Sequence, residues 1–182
     1  MSQGAQGSLE ARLKAQAEAL GFDLVGIAAA GPTLHSGAYL RWLEAGRHAG
    51  MAYLARPDAV AKRLEIERVL PGVQSVVMAA KNYYSGDFDA AQRTDPRRGL
   101  ISRYAWGQDY HHVLLPRLKA LGRWLDGAAG PGLAWRAYVD TGPILEREWA
   151  VRAGMGFVGR NATLIHPRWG SYLFLGVLLV TI

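Results

Sequence analysis

The chain contains no cysteine. That absence excludes disulfides, thiolate zinc sites, a cysteine nucleophile and any iron–sulfur cluster held by these residues. A long hydrophobic run is also lacking. The most apolar stretch, Tyr172–Ile182, is 11 residues long, well short of the ~20 that a helix needs to span a bilayer. The N-terminus, MSQGAQGSLEARLKAQAEALGFD, has no apolar h-region and carries acids early, which argues against a signal peptide. A soluble, cytoplasmic protein with no membrane partner is expected. Charge is modest, at 20% of residues against 50% hydrophobic, so there is material for a core and no case for disorder.

With 182 residues, the chain suits one domain, residues 1–182. Lysine and arginine number 21 against 15 acids, an excess of +6. That excess favours anionic partners such as nucleic acid or phosphate-bearing ligands. Leu9, Leu13 and Leu20 mark a first helix that Gly21 can end. Phe22–Ala30 reads as a buried strand. Ser36 can cap a helix closed by Gly46, and Pro57–Val69 reads as another. Ser75–Ala80 is a β-branched apolar run typical of an interior strand, and Asn82–Gly99 reads as an exposed loop. Leu114, Leu118, Leu121 and Leu125 form one helical face, with the helix expected to begin near Pro116. Ala134–Asp140 alternates as a strand does. Pro143 suits the first turn of a helix over Ile144–Ala153. The glycine-rich Gly154–Asn161, a short strand at Thr163–Ile165 and a last strand from Ser171 follow. Strands and helices interleave without repeats, which gives an α/β or α+β domain.

Asp140 stands at the end of a strand in the tight turn YVDTGP, where a carboxyl group can serve as a proton donor. The competing reading is that it caps the next helix. Arg103 and Tyr104 lie in ISRYAWGQDYHH; an arginine beside aromatics can hold a phosphate or amide edge while the rings cover a flat ligand. They equally suit an amphipathic strand end. His111 and His112 are adjacent, so they diverge on a helix, and no metal-binding spacing follows. GMGFVGRN could bring backbone N–H groups to a ligand, yet it matches no nucleotide motif and also reads as a helix C-cap. Lys62 and Arg63 are a solvated helix face or a phosphate clamp.

RYAWGQDYHHVLLPRL, YVDTGPILEREWAVRAGMGFVGRNATLI and WGSYLFLG, in this order and spacing, resemble the epoxyqueuosine reductases. LGFDLVGIA and LEIERVLPGVQSVVMAAKNYY fit the same family. The resemblance implies a mixed β-sheet flanked by helices, a cobalamin-binding domain like that of the reductive dehalogenases, and base-off cobalamin. It implies that Asp140 is the proton donor and that Arg63, Arg103 and Tyr104 contact the cofactor, with Asn161, Leu164 and Ser171 lining the same cavity. It also implies tRNA as partner and reduction of epoxyqueuosine to queuosine at the wobble position. Arg93, Arg97 and Arg98 suit phosphate contacts in that setting. Full-length members continue into a ferredoxin-like domain with two [4Fe–4S] clusters, for which this chain has no ligands. It is therefore expected to be the reductase's N-terminal domain or a truncated form. The alternative is half of a split reductase, served by a separate iron–sulfur electron donor, or a non-catalytic cobalamin- or tRNA-binding module.

Overall fold

The computed structural model describes residues 7–182; residues 1–6, part of the stretch read above for a signal peptide, lie outside the described residues. Helix α1 (Leu9–Ala19) starts where the Ser8 side chain accepts the Ala11 N–H, and Gly21 at φ +89° ends it. β1 (Leu24–Ala29) follows. In α2 (Ser36–Glu44), Ser36 is the first helical residue rather than the cap. The reason is tertiary: the buried Glu148 carboxylate accepts the Leu34 and His35 N–H groups, replacing a local cap. α3 (Pro57–Leu64) is shorter than the expected 57–69. The chain becomes extended at Glu65 and re-forms a 3-10 turn at Ile66–Arg68, which carries Ile66, Val69 and Leu70 into the core.

β2 (Ser75–Asn82) leads into an exposed segment that holds one short helix, α4 (Ala90–Thr94), capped by Asp89. α5 (Tyr110–Ala129) begins six residues before Pro116, not at it. Asp109 caps it by accepting the His111 N–H. An interior proline costs a helix about 3 kcal/mol; complete burial of Leu114, Leu118, Leu121 and Leu125 along one face offsets that cost. β3 (Trp135–Tyr138), α6 (Glu146–Arg152), the hairpin of β4 (Phe157–Val158) and β5 (Leu164–Ile165), and β6 (Leu173–Val180) complete the chain.

The main sheet runs β1-β2-β6-β3. The expected α+β class, a sheet flanked by helices, is borne out. Its strand directions are not mixed as expected: all three pairings are antiparallel. Continuous apolar strands usually signal parallel sheets because both faces are covered, and here both faces are covered as well. Val76, Met78, Ala80, Val177 and Leu179 pack on the Trp149 side, while Val77, Ala79, Leu178 and Val180 pack on α1 and α5. Side chains alternate across a strand, so the two layers divide β2 and β6 between them. No helix among the described residues is long and apolar enough to cross a membrane.

Candidate functional site

The sheet register decides which loops meet. Asn82 pairs with Leu173, and Tyr138 with Val177. The segments after β2, after β3 and before β6 therefore emerge at one edge. Asp140 is two residues past β3, in the left-handed region at φ +57°. The turn folds tightly under Tyr138: a Cβ on Gly142 would lie 2.7 Å from that ring, so glycine is required there. Asp140 does not cap a helix, since α6 begins six residues later with Leu145 at the cap position. Pro143 likewise stays outside α6. The Asp140 carboxylate, 63% exposed, instead opens into a cleft of about 960 Å³. Tyr39 and Trp42 of α2, Lys62 and Arg63 of α3, and Arg147 of α6 share this cleft.

Two groups of α5 face Asp140. The Tyr110 hydroxyl donates to Oδ2 at 3.0 Å. His111 Nε2 lies 3.6 Å from the same oxygen, beyond good hydrogen-bond distance, and is buried without a partner. Asp109 Oδ1 holds the other ring nitrogen at 2.7 Å. The Tyr110 hydroxyl is pushed well above its ordinary range by burial first and then by its bond to Asp140. It stays protonated, and so remains a donor to Asp140.

Helix α6 assembles the walls through three consecutive residues. Glu146 Oε1 accepts the Asp140 N–H at 2.9 Å. Arg147 donates to the Ala162 carbonyl in the β4–β5 turn. Glu148 takes the Leu34 and His35 N–H groups ahead of α2. Trp149 is 1% exposed and seats the helix on the sheet. Glu146 is itself largely buried, and burial pushes its carboxyl up to about 7. The Asp140 N–H pulls the other way, the Asp140 charge adds to the rise, and Arg147 and His111 lower it.

The sequence candidates separate into groups. Arg63 joins Asp140 in the cleft, with Nη1 donating to the Ala59 carbonyl at 3.2 Å and the guanidinium 6.0 Å from the Tyr39 ring centroid. Arg103 lies elsewhere along the same sheet edge. Its head is 9% exposed and boxed by Tyr84, Phe88, Trp106 and Tyr172 at 5.0–5.8 Å. It donates to the Tyr172 hydroxyl at 2.7 Å and to Asp87 at 2.8 Å, which leaves Nε buried and unpartnered. Stacked rings connect this box to Asp140: Tyr110 lies 4.3 Å from Phe174, Phe174 is 4.2 Å from Tyr83, and Tyr83 meets Tyr172 edge-on. Tyr104 is exposed beside the box. Asn161 is exposed in the β4–β5 turn, where its side chain accepts the Thr163 N–H. Leu164 is buried in the core, and Ser171 is half-buried just before β6. None of these five lines the Asp140 cleft.

Sequence reasoning passes over Glu146, Tyr110 and the aromatic wall of Tyr39 and Trp42. Tyr110 is 30 residues from Asp140 and meets it only through the fold; Glu146 is six residues on, and its contact depends on how the turn folds back on the start of α6. Tyr39 and Trp42 carry a usable signal, aromatic rings on a helix that buries no residue.

A family model described as epoxyqueuosine reductase QueG, DUF1730, matches residues 63–141. The curated epoxyqueuosine reductase of Synechococcus sp. (strain RCC307) is 45% identical over 93% of this chain and 51% of its own length. The chain thus spans about half the length of the curated relatives it matches. The solved structure of epoxyqueuosine reductase from Streptococcus thermophilus superposes with a TM-score of 0.83 at 27% identity, over 97% of this chain and 46% of that one. An epoxyqueuosine reductase crystallised with an epoxyqueuosine-modified tRNA-Tyr stem loop gives 0.82 at 30%, over 96% and 45%. A B12-dependent reductive dehalogenase shares the fold alone, with a TM-score of 0.51 at 18% identity, over 93% and 19%.

Proposed function

We propose that the chain belongs with the epoxyqueuosine reductases, binds base-off cobalamin and reduces epoxyqueuosine in tRNA to queuosine; the sequence identity and the likeness in fold support this reading. The observation that carries this reading is the cleft, which gathers the Asp140 side chain, flat aromatic faces and several cations in one place. Those residues fit the cofactor. Tyr39 and Trp42 offer faces to a planar macrocycle, and Arg63, with Lys62 beside it, suits its amide and phosphate edges. Arg103, Tyr104, Asn161, Leu164 and Ser171 would contribute from the adjoining sheet edge and hairpin. When bound, cobalamin supplies the low-potential electrons and the nucleophile at carbon that no amino-acid side chain provides.

The chain's own part is positioning and proton delivery. Removing the epoxide oxygen as water consumes two electrons and two protons. Asp140 gives the first proton to the oxygen as its bond to carbon breaks. Tyr110 orients the acid through Oδ2, and the rings of α2 help to exclude water. Electrons come from an iron–sulfur donor, carried by the remaining half in full-length relatives or by a separate partner. Arg93, Arg97 and Arg98 lie on the exposed segment after β2 and suit tRNA phosphates, although Asp95 already pairs with Arg97 at 3.1 Å and Arg98 at 3.4 Å.

The test is direct conversion. The purified chain, given cobalamin, a chemical reductant and an epoxyqueuosine-bearing stem loop, is expected to lower the mass of the RNA by one oxygen atom. An unchanged RNA mass in a sample that retains the corrin would overturn the reading.

A further inference from the structure

We propose that Glu146 is a positioning residue for Asp140: its carboxylate latches the backbone of the 139–142 turn and so aims the Asp140 carboxyl into the cleft. The inference rests on the reading of Asp140 as the proton donor and adds to it the device that holds the donor in place. Asp140 holds a left-handed conformation, φ +57°, which most residues other than glycine adopt only at a cost, and contacts outside the turn help to keep it there. Two anchors do so. Glu146 Oε1 accepts the Asp140 N–H at 2.9 Å, and the Tyr110 hydroxyl donates to Asp140 Oδ2 at 3.0 Å. With backbone and side chain both pinned, the acid has one direction left. The remaining bonds in the turn, from the Thr141 N–H at 2.6 Å and the Thr141 hydroxyl at 3.4 Å to the Val139 carbonyl, are local and tie the turn to no other element.

Of the two anchors, only Glu146 changes charge near neutral pH, with its carboxyl pushed up to about 7 by burial. An ionised carboxylate is the stronger acceptor of an N–H. The latch therefore tightens as pH rises through that value and slackens below it. The charged and titratable groups facing Glu146 are Asp140 from the turn, Tyr110 and His111 from α5, and Arg147 on its own helix. Asp58, Lys62 and Arg63 of α3 share the cleft opposite.

The experiment follows the Asp140 backbone amide by two-dimensional NMR of the intact chain, without cofactor, across neutral pH. The wild-type amide proton is expected to shift with an inflection near pH 7. Glu146→Gln keeps an acceptor and the fold, so the dispersed spectrum persists while that inflection disappears. His111→Gln is the control for the nearby imidazole and is expected to leave the inflection in place. In the conversion assay, Glu146→Gln is expected to lower kcat by up to about 100-fold with KM little changed, and to flatten the pH profile near 7. An inflection that persists in Glu146→Gln, or one lost in His111→Gln, overturns the latch. A kcat and pH profile that Glu146→Gln leaves unchanged overturns the positioning role. Failure of the donor reading looks different: Asp140→Asn would retain turnover while the amide titration and its loss in Glu146→Gln stay as described.

Discussion

Asp140→Asn is expected to lower epoxide reduction by about 10²–10⁴-fold, the range that general acid catalysis contributes, with fold and cobalamin affinity nearly intact. The fold survives for reasons visible in the turn. Asparagine tolerates the left-handed backbone at φ +57° better than most residues. Its amide oxygen can still accept from the Tyr110 hydroxyl, and its N–H can still reach Glu146. What the amide cannot do is give up a proton to the departing oxygen. Had Asp140 been a helix cap, Asp140→Ala would cost about 1 kcal/mol of stability with activity retained. The structure removes that reading, because α6 starts at Glu146 and no Asp140 side-chain oxygen accepts from its first turn. The measurement is single-turnover conversion of the stem loop by wild type and variant, with bound corrin verified by its spectrum. Near-normal conversion by Asp140→Asn would remove Asp140 from the mechanism.

Stability is expected to fall as pH rises from about 5 to 7, and Glu146 is the cause. Its carboxyl titrates near 4.5 when unfolded and at about 7 in the folded chain. The folded state therefore binds the proton more tightly, and between those values it holds more protons than the unfolded state. Stability then decreases with pH, by about 3 kcal/mol once Glu146 is ionised. The hydrogen bond from the Asp140 N–H returns part of the desolvation cost but not all of it, since burial is the largest influence. Glu146→Gln removes the ionisation and should flatten this slope. Urea denaturation at pH 5, 6 and 7 checks it, with the wild-type slope steeper than that of the variant. Equal slopes would place the pH dependence on other groups.

The two predictions depend on features that were legible in the sequence to different degrees. The apolar runs at Ser75–Ala80 and from Ser171 announce two strands, the first as an interior one, and both lie at the centre of the sheet. Strand direction was not legible, because a doubly covered antiparallel strand carries the same pattern as a parallel one. Helix starts moved where tertiary bonds overrode local rules. Glu148 satisfies the entry to α2, and leucine burial carries α5 through Pro116. The turn holding Asp140 was visible from its Thr-Gly-Pro sequence and strand-end position. Its partners were not, because Tyr110 lies 30 residues away and meets Asp140 only through the packing of α5 against the sheet. Arg63 reads in the sequence as half of a basic pair on a helix face, and Arg103 as an arginine beside aromatics. Only the fold separates one that lines the cleft from one enclosed by four rings.

Cobalamin retention tests the central claim most directly. The purified chain is mixed with cobalamin, desalted and examined by visible absorption. The account predicts that corrin stays with the protein and shows a base-off spectrum, and that Arg63→Ala weakens binding by roughly 1.5–3 kcal/mol while the fold is kept, as for hydrogen bonds to charged groups. A corrin that elutes wholly with the small molecules from a folded wild-type chain would contradict it.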